Sequence, residues 1–176
     1  YVISSPKWTN GKYSAAGAVT FGDGNNGVAG SITSLNSLIG SYTNDFVGNG
    51  STGFDGVIAL PNNNYVVVSP GWTKLLWSTG GGSISSVGAV TLCSGITGLS
   101  GAVNDLNSIT GSTSGDRIGN DGIKILSDGN FVIVSHNWIN NGNSDAGAVT
   151  WCNGSQSLSG IVSVSNSMVG SNGNDG

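Results

Sequence analysis

Four markers return at fixed offsets three times along this 176-residue chain, and that repetition limits its possible folds more than any other feature. Gly-Ala-Val-Thr begins at Gly17, Gly88 and Gly147. A second glycine follows each start, at Gly30, Gly101 and Gly160; then an Asn-Ser pair, at Asn36, Asn107 and Asn166; then an Asp, at Asp45, Asp116 and Asp175. An upstream anchor repeats too, as YVISSPKW from Tyr1, YVVVSPGW from Tyr65 and FVIVSHNW from Phe131. Gly88 to Gly147 spans 59 residues, whereas Gly17 to Gly88 spans 71. The difference divides between two places, seven residues between Trp72 and Gly88 and five between Asp45 and Tyr65. Insertions confined to two points mark loops, and the constant spans mark packed structure. The units run over 1–56, 57–122 and 123–176.

Each unit offers four short runs rich in β-branched or apolar residues, separated by turn chemistry. Val57 to Leu60 and Tyr65 to Ser69 form one pair, joined through Pro61-Asn62-Asn63-Asn64. Ile123 to Leu126 and Phe131 to Ser135 form its counterpart, joined through Ser127-Asp128-Gly129-Asn130. The Gly-Ala-Val-Thr run continues through Phe21, Leu92 or Trp151. A fourth run is expected over Ser31 to Ser34, Ala102 to Asp105 and Ile161 to Val164. Tyr65-Val66-Val67-Val68 is apolar without a break, the pattern of a strand buried on both faces. All nine acidic residues are Asp, and Gly numbers 31, so the polar helix formers are scarce and turn formers abound. The expected class is all-β: tandem four-stranded antiparallel units arranged as β-propeller-like blades, with a β-solenoid as the alternative.

The residues Val68-Ser69-Pro70-Gly71-Trp72, Ala146-Gly147-Ala148-Val149-Thr150-Trp151 and Asn36-Ser37-Leu38-Ile39-Gly40-Ser41 together resemble a bacterial extracellular repeat. That repeat occurs in large surface proteins, including filamentous-haemagglutinin-type adhesins. The chain is also distantly similar to the FG-GAP propeller repeat, without its dense acidic calcium loop. The resemblance implies a secreted or surface role and brings no catalytic residues. His136 departs from it, standing where Pro6 and Pro70 stand in the other copies.

Five Lys and Arg against nine Asp leave a charge of −4 and no basic cluster, which argues against nucleic-acid binding. No apolar stretch is long enough to span a membrane. Charged residues make up only 8% of the chain, and small hydroxyl and amide residues replace them, which suits an extracellular or cell-surface repeat protein. The first unit lacks its first strand. The chain is therefore expected to be a piece of a longer array, in which copies of itself or adjacent repeats supply missing strands by edge addition.

Candidate sites are few. One His and no Glu give no convergent set of titratable groups, so an enzyme is not expected. Asp45, Asp116 and Asp175 recur once per unit and read as acceptors of backbone N–H groups; Asp55, Asp121 and Asp128 precede Gly and read as turn formers. Asp23 and Asp121 are the weak calcium candidates, since their loops supply too few carboxylates alone. Cys93 and Cys152 hold equivalent places and are expected as two buried thiols, with a disulfide as the alternative. Trp8, Trp72 and Trp138 are expected to wedge between units. Leu75, Leu76 and Trp77 lie in the seven-residue insertion and form a candidate contact loop. Asn49 and Asn153 open glycosylation triplets. The function these features favour is a structural or adhesive repeat segment that assembles into an extracellular fibre; a carbohydrate-binding propeller is the alternative, which regularly spaced exposed Trp would support.

Overall fold

The computed structural model describes residues 1–76 and 81–176. Among these residues there is no helix, and the strands gather into three main sheets and one hairpin. The first copy contributes β1 (Val2–Ser5), β2 (Ala18–Phe21) and β3 (Ser37–Ile39). The second contributes β4 (Val57–Ala59), β5 (Tyr65–Ser69), β6 (Lys74–Leu76), β7 (Gly82–Ile84), β8 (Ala89–Cys93), β9 (Gly101–Ala102) and β10 (Ile109–Thr110). The third contributes β11 (Ile123–Ile125), β12 (Phe131–Ser135), β13 (Ala148–Cys152), β14 (Gly160–Ile161) and β15 (Ser167–Val169).

Within a copy every pairing between named strands is antiparallel. The second copy runs β4-β5-β8-β10 and the third β11-β12-β13-β15. The short strands β9 and β14 do not join their own copy. β9 lies parallel to β3 of the preceding copy, with Leu38 opposite Gly101, and β14 lies parallel to β10, with Ile109 opposite Gly160. Each of these two sheets is completed by a strand from the next repeat.

That topology corrects the expected fourth strand. The runs at Ser31 to Ser34, Ala102 to Asp105 and Ile161 to Val164 are mostly loop, and the last in-register strand of each copy is the segment opened by the Asn-Ser pair. Two local causes are visible. The Ser of each pair meets the Thr of Gly-Ala-Val-Thr hydroxyl to hydroxyl at 2.7 Å, as Thr20–Ser37, Thr91–Ser108 and Thr150–Ser167. The Asn closes the preceding loop: Asn36 accepts the Thr33 N–H and donates to the Ser31 carbonyl, a pattern that Asn107 and Asn166 repeat. A chain engaged in its own side-chain loop cannot also run as an extended strand there.

The middle sheet is packed on both faces. Every residue of β5 and β8 is buried. Val66, Val68, Val90, Leu92 and Ile109 form one core with Phe131, Ile133, Ala148 and Cys152 of the third sheet. Tyr65, Val67, Ala89 and Cys93 form a second core with Val19 and Leu38 of the first sheet. Adjacent residues of one strand thus serve two cores, because side chains alternate across a pleated sheet. In the third sheet the alternation is plain: Ala148, Thr150 and Cys152 are buried while Val149 and Trp151 between them are exposed. In the stretch of the second copy that carries the insertion, β6 pairs with β7, and Lys74 Nζ lies 2.5 Å from Asp105 Oδ2 of the next loop.

Candidate functional site: the seam between repeats

Four kinds of contact recur at the two seams between consecutive copies. The first is the apolar core just described. The second is the shared strand, extended by hydrogen bonds from Val103 N–H to the Ile39 carbonyl and from Val162 N–H to the Thr110 carbonyl.

The third is the recurring Asp. Asp45 is fully buried. Its Oδ2 accepts the N–H groups of Ser41 and Tyr42 at 2.8 Å in its own loop, and its Oδ1 accepts the N–H of Thr73 in the next copy at 2.9 Å. Asp116 does the same: Oδ2 takes Ser112 and Thr113, and Oδ1 takes Ile139 of the next copy at 3.1 Å. A buried carboxylate divided between two copies satisfies backbone donors on both sides of a seam. Burial pushes the Asp45 carboxyl up to about 6, against the three N–H donors, which pull it down.

The fourth is a serine. Ser69 and Ser135, the Ser of the SPxW anchor and its SHNW counterpart, are buried and accept the N–H of Gly48 and Gly119 from the preceding copy. Gly17 and Gly88 bring the chain close at the same place. Both have positive φ, and a Cβ on either would overlap the backbone nitrogen of Val47 or Ile118.

Trp72 is buried in the core between the first and second sheets, and Trp138 in the core between the second and third. Trp8 is half-buried in the first copy. Among the described residues neither indole N–H of Trp72 or Trp138 has a hydrogen-bond partner. Leu75 and Leu76 lie half-buried in β6, and Trp77 lies outside the described residues.

Asp23 turns its oxygens to the Asn25 N–H and the Asn26 amide. Asp121 turns both of its oxygens to His136, one to the backbone N–H at 2.8 Å and one to Nδ1 at 2.6 Å. Among the described residues no group of three His, Cys, Asp or Glu is placed to hold a metal ion. The His136–Asp121 pair was not foreseen from the sequence. Its signal is the replacement of Pro by a residue with an N–H: Pro70 has none to donate, and Asp55, the counterpart of Asp121, is exposed. Cys93 and Cys152 are free, buried thiols on different seams, pushed up to about 12 by burial. Asn49 is exposed beside a groove of about 420 Å³ shared with Ser51, Phe54, Arg117 and Asn120. Asn153 is half-buried and accepts the Ser155 N–H. Among the described residues no helix is long and apolar enough to cross a membrane.

The three copies match the family model described as a repeat of unknown function, DUF5650, over residues 1–49, 59–120 and 125–176. The match supports a repeat protein and carries no haemagglutinin-type description. No curated protein and no solved structure matches the chain.

Proposed function

The chain belongs to the DUF5650 repeat family, and on that premise we propose that it is a structural segment of a secreted or cell-surface protein, stacking β-sheets into an extended array. The supporting observation is the middle sheet, which receives a strand and a core from the repeat on one side and gives the same to the repeat on the other. A unit that both gives and receives propagates along one direction, as in other repeat proteins. Its cohesion is the adhesive property this reading assigns; it assigns no catalytic role. The extracellular placement draws on the low charge and the small polar surface residues.

A glycan-binding role has less support. Trp72 and Trp138 are buried, so the recurring indoles offer no row of stacking platforms to sugars. Surface labelling of intact cells, followed by electron microscopy of the released material, tests the proposal. Labelled protein in extended rods is the expected result. Protein confined to the cell interior, or discrete closed rings, would overturn it.

A further inference from the structure

We propose that the groove between the two repeat junctions binds a small organic carboxylate, with Arg117 pairing the carboxylate and Phe54 meeting the ligand's apolar face. This gives the chain a ligand that the stacking role does not require, and it stands or falls apart from that role.

The groove holds about 420 Å³, within the range of small-molecule sites, and is built by loops of two different junctions. Asn49, Ser51 and Phe54 come from the first junction, which carries five extra residues, and Arg117 and Asn120 come from the second. An insertion present in one copy only adds a site to a repeat scaffold without disturbing its stack. The inserted loop is preformed. Ser51 and Phe54 exchange backbone hydrogen bonds of 3.3 and 3.0 Å, and the Gly50 N–H donates to the Val68 carbonyl at 3.1 Å. The Ser51 hydroxyl donates to the Asn120 carbonyl of the other loop. Phe54 is 40% exposed, and its ring lies against Gly122, where a Cβ would come within 2.7 Å of Phe54 Cδ1. The ring is thus held in place while part of its surface stays open. A site already shaped loses little conformational freedom on binding.

The charges of the groove select the sign of the ligand. Arg117 is the chain's single arginine and is exposed, and among the described residues it has neither an ion pair nor a side-chain hydrogen bond. Its counterpart in the preceding copy is Phe46, which is half-buried. Both hold the left-handed backbone, at φ +47° and +48°, so the fold sets the conformation and the side chain is what differs. Asp121 is the carboxylate of the groove wall, and both its oxygens are engaged by His136, one by the N–H at 2.8 Å and one by Nδ1 at 2.6 Å. That leaves the guanidinium to an outside anion. Its planar fork matches a carboxylate through two parallel N–H donors. Around it, Asn49 and Thr52 make no side-chain hydrogen bond among the described residues, and Asn120 donates its amide N–H to Asn137 at 3.3 Å while keeping its Oδ1. These neutral groups suit hydroxyl or amide groups on the ligand. An inorganic anion would use Arg117 alone, whereas the open face of Phe54 favours a ligand with carbon beside its carboxylate.

Two acids serve as probes, glucuronate and N-acetylphenylalanine, each set against a neutral counterpart, glucose and N-acetylphenylalanine amide. Titration of the whole chain, followed by NMR, should show the acids shifting the Arg117 Nε–H and Phe54 ring signals with Kd of about 1 mM or below, and the neutral compounds binding at least about tenfold more weakly. The tighter of the two acids identifies the source of the carboxylate, sugar or amino acid. Arg117→Gln should erase the preference for the acid, and Arg117→Lys, which keeps the charge without the planar fork, should retain only part of it. Both variants leave in place the backbone bonds from the Arg117 N–H to the Ser86 carbonyl at 3.1 Å and from the Asn120 N–H to the Arg117 carbonyl at 2.9 Å. The native signals decide the location even where a variant fails to fold. No shift with either acid up to about 20 mM, shifts confined to residues outside the groove, equal affinity for acid and neutral forms, an undiminished preference in Arg117→Gln, or inorganic phosphate bound as tightly as the acids would each overturn the site.

Discussion

Asp45 Oδ1 accepts the backbone N–H of Thr73 at 2.9 Å across the seam between the first two copies, while Oδ2 of the same carboxylate holds its own loop. Removing the side chain strands the buried Thr73 donor and releases two loop donors, of Ser41 and Tyr42, that lie nearer the surface. An unsatisfied buried donor costs about 1–3 kcal/mol, so Asp45→Ala should destabilise the chain by about that amount or somewhat more. Asp116→Ala should cost somewhat less, because its three donors are arranged alike but Ser112 and Thr113 are exposed and Ile139 is half-buried. Asp175→Ala should cost less than about 1 kcal/mol, since the side chain and its partners are exposed to water. Urea unfolding of the three variants checks the ranking.

The same carboxyl gives the fold a pH dependence with a definite sign. Burial raises Asp45 from an ordinary 3.8 to about 6. Between those values the folded chain keeps a proton that the unfolded chain releases. Stability is therefore greatest at the acid end of this window and falls as pH rises through 6, by up to about 3 kcal/mol. Urea midpoints measured from pH 4 to pH 7 should decline. The decline should vanish in Asp45→Asn, which does not titrate, even though that variant starts from a lower stability.

Two glycines of one repeat should behave differently on substitution. Gly88 has φ +76°, and a Cβ there would overlap the Ile118 nitrogen, so Gly88→Ala combines backbone strain with a collision against main chain that cannot swing away. Gly101 has φ +103° with nothing within 4 Å of the added atom. Gly101→Ala should cost the backbone strain alone, about 1–3 kcal/mol, and Gly88→Ala distinctly more. Thermal unfolding measured side by side separates the two.

How much of this was legible in the sequence follows from the range over which each interaction acts. β5 and the Gly-Ala-Val-Thr strands could be read because burial on both faces leaves an unbroken apolar run at Tyr65–Val68, and because hydroxyl and glycine positions return with the period. The loop role of the recurring Asp was legible for the same reason. Its bond to Thr73 was not, because the two residues are brought together only by the stacking of one sheet on another. β9 and β14 were misplaced because a two-residue strand has no periodicity, and its partner lies in another copy. The His136–Asp121 pair is a single-copy feature, and a repeat-based reading discards what does not repeat.

The two thiols report on the seams separately. Cys93 is 1% exposed in the core between the first and second sheets, and Cys152 is 3% exposed in the core between the second and third. Burial pushes both up to about 12, so the reactive thiolate is scarce and inaccessible in the folded chain. At pH 8 an aromatic disulfide reagent should leave both unmodified until the chain opens, and both should react at once in concentrated urea. At intermediate urea the order should depend on which seam has been weakened. Asp45→Ala loosens the first seam and should expose Cys93 before Cys152. Asp116→Ala loosens the second and should reverse that order. Mass spectrometry of the labelled peptides reads the sequence of events directly. Simultaneous labelling in both variants would mean that the sheets separate as one unit, in which case the seams do not open independently.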